Sequence, residues 1–426
     1  MSTSTNVRRV AIIGSNRIPF VRSNTVYSYA SNQQMMTAAL NGLVERFKLE
    51  GVKLGEVAGG AVVKHAKDSF LMRESVLGTK LSPETPAVDF QQACATGLQA
   101  AIHIANKIAL GQIDCGIAGG TDTTSDAPIA VKDKLRVKLL DVNRAKSTGA
   151  RLKKLLKIRL SDLGIQIPVN AEARTGLSMG GHTQITADYY HVDRKIQDQI
   201  AYDSHKKLAK AYDEGFFNDM MTPFLGITKD NTLRADTTLE KLATLKGVFG
   251  GSGTLTAGNS SALTDGASCV LLASEEWAKE RGLPILAYFS FSETAAVEFV
   301  QNKQDLLIAP VYAVASLLKK TGLKLQDFDF YEIHEAFGAI IGADLKLWAD
   351  EKFCKEKLGL PGALGTIDMS KLNVKGSSIA TGHPFAATGG RIIGTLAKLI
   401  NQKGSGRGLI CLCAAGGQGI AIIIEK

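Results

Sequence analysis

Apolar and polar positions along the first third of the chain follow two periods in turn, which predict strands and helices. Residues 10–14 and 114–120 are apolar runs bounded by polar residues, as is typical of buried strands. Between them, apolar residues recur three and four positions apart, as on one face of a helix, at Met35, Met36, Ala39, Leu40 and Leu43 and again at Leu98, Ala101, Ile102, Ala105, Ile108 and Ala109. Strands that alternate with helices indicate an α/β fold with a mainly parallel sheet and helices on both faces.

The alternation is lost after residue 126 and resumes after residue 250. A long helix is predicted at 195–214, and the rest of this stretch is interpreted as an insertion. A second series follows, with strands at 285–289, 329–334, 377–380, 408–413 and 420–424. In each series a reactive side chain lies at a turn, before a helix that begins with small residues. We therefore expect a duplicated unit. Its parts are an N-terminal core half at 1–126 with 251–280, an inserted loop domain at 127–250 and a C-terminal core half at 281–426.

The composition is that of a globular protein, because 45% of the 426 residues are hydrophobic and 21% are charged. No apolar run is long enough to span a bilayer. The short polar start leaves no room for a signal or transit peptide before the first strand, so a cytoplasmic location is expected. Six cysteines in a chain of this length do not indicate a disulfide framework. The sequence has no C-x-x-C spacing and no histidine cluster at metal-ligand spacing, so a metal site is not expected.

The net charge of +9 is concentrated in one segment. Residues 132–159 contain eleven lysines and arginines and two aspartates, which accounts for the whole excess. Leucines fall on one side of a predicted helix within this segment, so a solvated amphipathic helix is one interpretation. The segment could also attract the phosphates of a ligand, or lie on an acidic membrane or partner surface. It has no aromatic residues for stacking on bases, which argues against a nucleic-acid partner.

Four side chains are candidates for catalysis: Cys94, His334, His383 and Cys413. Cys94 lies where an extended run meets a helix, so the positive end of the helix dipole should favour its thiolate. A small buried cysteine would fit the same pattern. His334 ends an apolar strand, where a structural histidine is common. His383 precedes a proline, and Cys413 opens a glycine-rich turn that could equally be a tight strand connection.

These candidates belong to short motifs that follow one another along nearly the whole chain. The motifs are Arg17-Ile18-Pro19-Phe20, the Cys94 turn, Ala118-Gly119-Gly120, Ser178-Met179-Gly180, Thr256-Ala257-Gly258-Asn259-Ser260-Ser261, Asp265-Gly266-Ala267, His334-Glu335-Ala336-Phe337, Gly382-His383-Pro384 and Cys413-Ala414-Ala415-Gly416-Gly417. In this order they resemble the thiolase family. His334 stands where most thiolases have asparagine. That His-Glu-Ala-Phe motif, preceded by Leu306-Leu307-Ile308-Ala309-Pro310, is similar to the trifunctional-enzyme β-subunit branch.

The resemblance implies two βαβαβαββ halves in five layers, α-β-α-β-α, with an inserted loop domain. It also implies thiolytic cleavage of 3-ketoacyl-CoA to acyl-CoA and acetyl-CoA, as in fatty acid β-oxidation, and the reverse Claisen condensation. Cys94 would take the acyl group and His383 would accept its proton, roles for which thiolate and imidazole are suited. Cys413 would exchange a proton with the α-carbon of acetyl-CoA, and an ordinary thiol pKa of about 8.5 allows both directions.

The resemblance further implies the groups that stabilise charge and hold the substrate. The amides of Cys94 and Ala415 would form an oxyanion hole for the tetrahedral intermediate, and His334 and His383 would face the enolate oxygen. Substrate contacts are implied for Ser261, Ala262, Met179 and Phe337. Coenzyme A, acyl-CoA and acetyl-CoA are the implied ligands, with no tightly bound cofactor and no metal. At least a homodimer, or a dimer of dimers, is implied, with a hydratase/dehydrogenase subunit or a membrane as further partner through 132–159.

Several positions depart from the family pattern. Gly376-Ser377-Ser378 replaces paired glycines, alanines replace glycines at 262, 309 and 386, and Gln184 replaces a glutamate. These departures concern the shape of the pocket. A decarboxylating ketoacyl synthase also combines a cysteine with histidines, but it needs no second cysteine such as Cys413. A non-catalytic carrier of acyl-CoA or lipid would have no use for the four reactive side chains.

Overall fold

Alternate residues of the first strand face two different hydrophobic clusters, and this alternation sets up the layers of the fold. The computed structural model describes residues 7–426, and its first strand, β1, is Val10–Arg17. Ala11 and Ile13 belong to a cluster on one face of the strand, whereas Val10 and Ile12 belong to a cluster on the other. Because successive side chains of a strand point to opposite faces, a strand that is apolar at every position is covered on both sides.

The run predicted at 10–14 is β1, and the other strands of the described chain include those predicted from the apolar runs at 114–120, 285–289, 329–334, 408–413 and 420–424. They are β2 (Val21–Arg22), β3 (Glu56–Gly59), β4 (Ala87–Asp89), β5 (Cys115–Asp122), β6 (Ala130–Val131), β7 (Ile165–Gln166), β8 (Thr264–Ser274), β9 (Ala287–Ala296), β10 (Phe330–Ile333), β11 (Arg407–Ala414) and β12 (Gln418–Glu425).

The helices follow the predicted apolar faces, and the helix predicted at 195–214 is shifted by one residue. They are α1 (Asn32–Arg46), α2 (Leu71–Leu77), α3 (Thr96–Ala109), α4 (Asp133–Asn143), α5 (Thr148–Leu155), α6 (Met179–Tyr189), α7 (Arg194–Asp213), α8 (Leu239–Ala243), α9 (Glu275–Glu280), α10 (Ala309–Thr321), α11 (Gly338–Ala349), α12 (Glu351–Glu356), α13 (Ser378–Thr381) and α14 (Thr388–Lys403). Among the helices of residues 7–426, none is long and apolar enough to cross a membrane.

The two halves of the chain build half-sheets with the same strand order. The N-terminal order is β4-β3-β5-β8-β1, and the C-terminal order is β10-β11-β12-β9. Leu372 forms a parallel bridge with Tyr331 of β10, at the place that β4 takes beside β3. The next strand pair in each half, β3 with β5 and β10 with β11, is also parallel. The last two strand pairs of each half are antiparallel. The predicted duplication is confirmed.

Helices divide the fold into five layers. The half-sheets meet edge to edge through a short antiparallel pairing of β1 with β9. Helices α3 and α14 contact each other between the half-sheets, and α14 contacts strands of both. Helix α1 covers the outer face of the N-terminal half-sheet, and α10 covers that of the C-terminal half-sheet. The α-β-α-β-α arrangement implied by the family resemblance is therefore found.

Residues 127–250 contribute to the fold in two different ways. Helices α6 and α7 pack on α11, and Ala187 and Ile200 join the cluster that covers the C-terminal half-sheet. Helices α4 and α5 pack mainly on each other, and α5 has no buried residue. The basic segment thus lies on the surface.

The prediction of a strand at 377–380 is wrong. Ser378–Thr381 is the short helix α13, which follows Ser377 as its N-cap residue. The place of the missing strand is taken by Leu372, upstream. A helical turn here brings the hydroxyls of Ser377 and Ser378 to Arg391 of α14, so the polar side chains are satisfied in the interior instead of facing a sheet.

Candidate active site

Cys94 lies in a tight turn between β4 and α3. Ala93 has a φ of 46°, a left-handed conformation that is uncommon for a residue with a β-carbon. Thr96 closes the turn, because its hydroxyl donates to the Ala93 carbonyl at 2.7 Å and accepts from the Gln92 amide at 2.9 Å. The Gln92 side chain donates to Gln418 Oε1 of β12 at 2.9 Å. The turn is therefore held by both halves of the molecule.

Cys94 opens into a cavity of about 570 Å³ that most of the predicted site residues line. His383, Cys413 and Ala415 lie on its wall, together with Ser261, Ala262, Met179 and Phe337. Added apolar lining comes from the loop after β3, from residues 127–250 and from the segment before α10, at Val62, Val63, Ala127, Pro128, Pro168, Val169 and Leu307. Side chains separated by more than three hundred residues in sequence thus face one cavity.

His334 lies behind the cavity wall, not on it. Its ring centroid is 4.2 Å from that of His383, with the planes tilted by 48°. The Nδ1 atom of His383 lies 2.6 Å from Thr388 Oγ1, and that of His334 lies 2.9 Å from Ser378 Oγ. Both Nε2 atoms are buried and have no hydrogen-bond partner within residues 7–426. Each imidazole therefore keeps one nitrogen for a bound molecule.

The two imidazoles are neutral at physiological pH. Burial lowers the pKa of His383 to about 3, and the positive charge of Arg391 contributes in the same direction. Burial lowers the pKa of His334 well below its ordinary value, with His383 and Arg391 as smaller causes. A neutral imidazole can accept a proton at one nitrogen and donate one at the other, so both rings are suited to proton transfer and hydrogen bonding.

Burial also decides the protonation state of Cys94, and it opposes the expected preference for the thiolate. The end of a helix contributes about 0.3–1 kcal/mol, which is less than one pKa unit. Burial raises the pKa of Cys94 from 9.0 to about 12, helped by the charge of Asp122 and opposed by the amides of Ala415 and Cys94. The resting group is a thiol, which needs a base such as His383 to react. The two amides named by the resemblance both point to its sulfur.

Cys413 lies near the end of β11, in a similar setting. Its pKa is raised well above the ordinary value, first by burial and then by the nearby Cys94 and Asp344, whose ionised forms would oppose a second negative charge. The turn after β11 contains Gly416 and Gly417, with φ of 81° and 69°. A β-carbon at Gly417 would lie 2.8 Å from the Val297 carbonyl oxygen. Glycine is required there, and the turn presents the Ala415 amide to the Cys94 sulfur.

The segment around Ser261 connects the two histidines. The Ser261 hydroxyl and amide both donate to the Ala336 carbonyl, at 2.9 and 3.0 Å. Leu263 forms a parallel bridge with His383. Ser261 and Ala262 thus lie between the His334 loop and the His383 turn, and their positions depend on backbone contacts.

Models of the two thiolase domains match nearly all of the described chain. The thiolase N-terminal domain matches residues 10–276 and the thiolase C-terminal domain matches residues 283–426. The chain belongs to the thiolase family. The 3-ketoacyl-CoA thiolase of Shewanella putrefaciens is 39% identical over 99% of this chain and 98% of its own length. That of Yersinia enterocolitica is 39% identical over 98% of this chain and 97% of its own length.

Solved thiolase structures superpose over the whole fold. The Bacillus anthracis acetyl-CoA acetyltransferase is 29% identical, with a TM-score of 0.82 over 99% of this chain and 100% of its own. Human mitochondrial 3-ketoacyl-CoA thiolase in complex with CoA is 27% identical, with a TM-score of 0.81 over 99% of this chain and 98% of its own. The prediction of a thiolase is confirmed, and assignment to the trifunctional branch stays a prediction.

Asp122 is a residue of this thiolase site that sequence reasoning missed. It ends β5, and its buried carboxylate accepts hydrogen bonds from the amides of Val62, Val63 and Ala386 at 2.8 to 3.1 Å. These amides belong to the cavity wall of one half and to the turn after His383 in the other. Burial raises the pKa of Asp122 to about 7, against the effect of the three amides. A polar residue at the end of a buried strand was the available signal.

Proposed function

We propose that this thiolase cleaves 3-ketoacyl-CoA with CoA to give acyl-CoA and acetyl-CoA, through an acyl-thioester on Cys94, and runs the reverse condensation. The observation that carries the proposal is the single cavity lined by Cys94, His383 and Cys413. Fatty acid β-oxidation is the proposed setting. The related chains named 3-ketoacyl-CoA thiolase support this substrate class.

The first half-reaction transfers the acyl group to Cys94. Nε2 of His383 takes the thiol proton as the sulfur attacks the 3-keto carbon, and the Cys94 and Ala415 amides stabilise the resulting oxyanion. The bond between C2 and C3 then breaks. The electron pair goes to acetyl-CoA as an enolate, whose oxygen lies against His383 on the cavity wall and is directed toward Nε2 of His334 behind it, and the Cys413 thiol protonates its carbon. Acetyl-CoA leaves and the acyl group remains on Cys94.

The second half-reaction returns the proton donors to their starting states. The thiolate of Cys413 takes the proton of incoming CoA, whose sulfur attacks the acyl-thioester. The departing Cys94 sulfur recovers its proton from the imidazolium of His383. Atoms and charges balance over the cycle, and CoA enters as a substrate, with no tightly bound cofactor proposed.

The remaining assignments extend the proposal to binding and organisation. We propose Ser261, Ala262, Met179 and Phe337 as substrate-binding residues, with Ser261 in contact with the pantetheine arm. The core halves are 1–126 with 251–280 and 281–426, joined by the inserted loop domain 127–250. A homodimer or dimer of dimers in the cytoplasm is the proposed assembly and location.

Purified protein mixed with 3-ketoacyl-CoA and CoA is expected to form acyl-CoA and acetyl-CoA in equal amounts, at about 1 s⁻¹ or faster. Product chromatography measures both, and a ladder of chain lengths gives the acyl preference. A decarboxylating ketoacyl synthase would instead consume a malonyl thioester and release CO₂. A carrier would bind acyl-CoA and form neither product, and either result would contradict the proposed function.

The basic surface formed by α4, α5 and their connections, residues 132–159, is proposed to bind an acidic membrane surface, with a partner subunit as the alternative. Leu152, Leu156 and Leu160 are exposed beside its lysines and arginines, with 58%, 77% and 87% of their surface accessible. Apolar side chains among cations suit the boundary between lipid headgroups and acyl chains. A purely solvated helix would gain nothing from exposed leucines.

Reversing three exposed charges, with Lys146→Glu, Lys153→Glu and Lys157→Glu together, is expected to weaken binding to phosphatidylglycerol vesicles about 100-fold. Each lysine near an anionic surface contributes about 1 kcal/mol. Vesicle sedimentation measures the effect, and Lys319→Glu, Lys324→Glu and Lys352→Glu together serve as the matched control. Equal binding to phosphatidylcholine vesicles, or no binding to either, would leave a partner protein as the occupant of this surface.

A further inference from the structure

A network of buried, hydrogen-bonded polar side chains lies behind the two active-site histidines, and the reaction above does not use it. Arg391, on α14, is 4% exposed, and its Nη2 lies 2.9 Å from Ser378 Oγ and 3.2 Å from Ser377 Oγ. The same Ser378 oxygen lies 2.9 Å from Nδ1 of His334. Hydrogen bonds thus connect the arginine to the serine and the serine to the histidine. The other ring nitrogen of His334 has no hydrogen-bond partner within residues 7–426.

The hydrogen atoms in this network can be assigned by counting the donors and acceptors of each side chain. A guanidinium group only donates, whereas a serine hydroxyl carries one hydrogen and two lone pairs. Ser378 Oγ therefore accepts from Arg391 and keeps its own hydrogen for another acceptor. Within the described residues, the acceptor in reach is Nδ1 of His334.

We infer that Ser378, oriented by Arg391, donates to Nδ1 of His334 and thereby fixes the neutral tautomer that carries hydrogen on Nε2. Ser378 and Arg391 are positioning residues in this account, because they act on the substrate only through His334. The inference rests on the proposed function for its consequence, which is the presentation of an N–H group to the enolate of acetyl-CoA.

The tautomer matters because the two nitrogens have opposite effects on a developing negative charge. An Nε2–H group stabilises an enolate oxygen, whereas an Nε2 lone pair repels it. His334 is 1% exposed, so water does not compensate for a wrong tautomer. A fixed donor that needs no reorganisation during the reaction is the arrangement that stabilises a transition state.

Glu332 acts on Arg391 electrostatically, without a hydrogen bond between them in the described residues. It lies on β10 and is 1% exposed, and both of its carboxylate oxygens lack a hydrogen-bond partner within residues 7–426. Its charge opposes the effect of burial on Arg391. Because a guanidinium stays protonated in proteins, Arg391 is a donor at every working pH. The direction of the hydrogen bonds from Arg391 to Ser378 and from Ser378 to His334 therefore does not reverse.

Ser378→Ala tests the inference, with Ser377→Ala as the matched control, since Ser377 contacts the same Arg391 nitrogen but not His334. Ser378→Ala is expected to lower kcat for thiolysis about 10-fold, the value of one hydrogen bond, with little change in KM. Acylation of Cys94 by acetyl-CoA should be unchanged, because it does not pass through the enolate. Ser377→Ala should behave as wild type, and Ser378→Thr, which keeps the hydroxyl, should restore the rate.

A direct measurement of the tautomer separates positioning from a general loss of structure. With ¹⁵N-labelled histidine, and His334→Gln for assignment, wild type should show an unprotonated Nδ1 and a protonated Nε2 on His334. Ser378→Ala should show a mixture of tautomers. A protonated Nδ1 in wild type, or equal kinetic losses in Ser378→Ala and Ser377→Ala, would overturn the inference. Failure of the proposed function would differ, because wild type would then form no acyl-Cys94.

Discussion

Cys94→Ala is expected to lower kcat for thiolysis about 10⁴-fold or more, because removal of a catalytic nucleophile leaves only binding and charge stabilisation. Among residues 7–426, the cavity provides no second group placed as this thiol is, at a strained turn with the Cys94 and Ala415 amides directed at its sulfur. Mass spectrometry of wild type incubated with acetyl-CoA should find one acetyl group on Cys94. The variant should carry none.

The matched control is Cys354→Ala, because Cys354 is buried on α12 and does not line the cavity. It should keep both the acetyl adduct and the rate. An adduct on any other cysteine in wild type, or full turnover in Cys94→Ala, would refute the role of Cys94.

The pH dependence of alkylation checks the resting state of the same thiol. Burial raises the pKa of Cys94 to about 12 and lowers that of His383 to about 3, so neither group is charged near neutral pH. Only the thiolate reacts with iodoacetamide, and its fraction increases with pH below the pKa. Alkylation should therefore accelerate steadily from neutral to alkaline pH. A rate that stays constant over this range would indicate a preformed thiolate–imidazolium pair.

The fold could be predicted where the local pattern carries the structural information. In β11, Ile410 and Leu412 face the central cluster while Leu409 and Cys411 face the outer one, so the strand is apolar throughout. Such a run predicts a buried strand without knowledge of its neighbours. The error at 377–380 has the opposite cause. A helix of four residues shows no period, and α13 depends on contacts with α14 that only the tertiary structure provides.

The same distinction separates the predicted site residues from those that were missed. Cys94, His383 and Cys413 lie at turns with recognisable neighbours, so sequence motifs identify them. Asp122 receives an amide hydrogen bond from Ala386, which is 264 residues away in the chain, and no local pattern connects them. The pKa of Cys94 was misjudged for a related reason. The helix end is visible in the sequence, but the burial that outweighs it is a property of the whole fold.

Cys413→Ala is expected to separate the two chemical steps. Acylation of Cys94 by acetyl-CoA should persist, since His383 and the oxyanion amides remain. Thiolysis and condensation should fall about 10²- to 10⁴-fold, the usual contribution of a general acid or base. Exchange of the methyl hydrogens of acetyl-CoA with deuterated water, followed by mass spectrometry, reports the proton transfer directly, and this exchange should be lost.

Cys411→Ala provides a closely matched control for that result. Cys411 lies two residues earlier on β11 and faces the same hydrophobic cluster as Cys413, and burial raises its pKa well above the ordinary value. It does not line the cavity. Both substitutions remove a buried sulfur from one strand, so a loss caused by packing should be similar in the two variants. Normal exchange in Cys411→Ala beside lost exchange in Cys413→Ala would assign the proton transfer to Cys413, and equal losses would attribute the effect to packing alone.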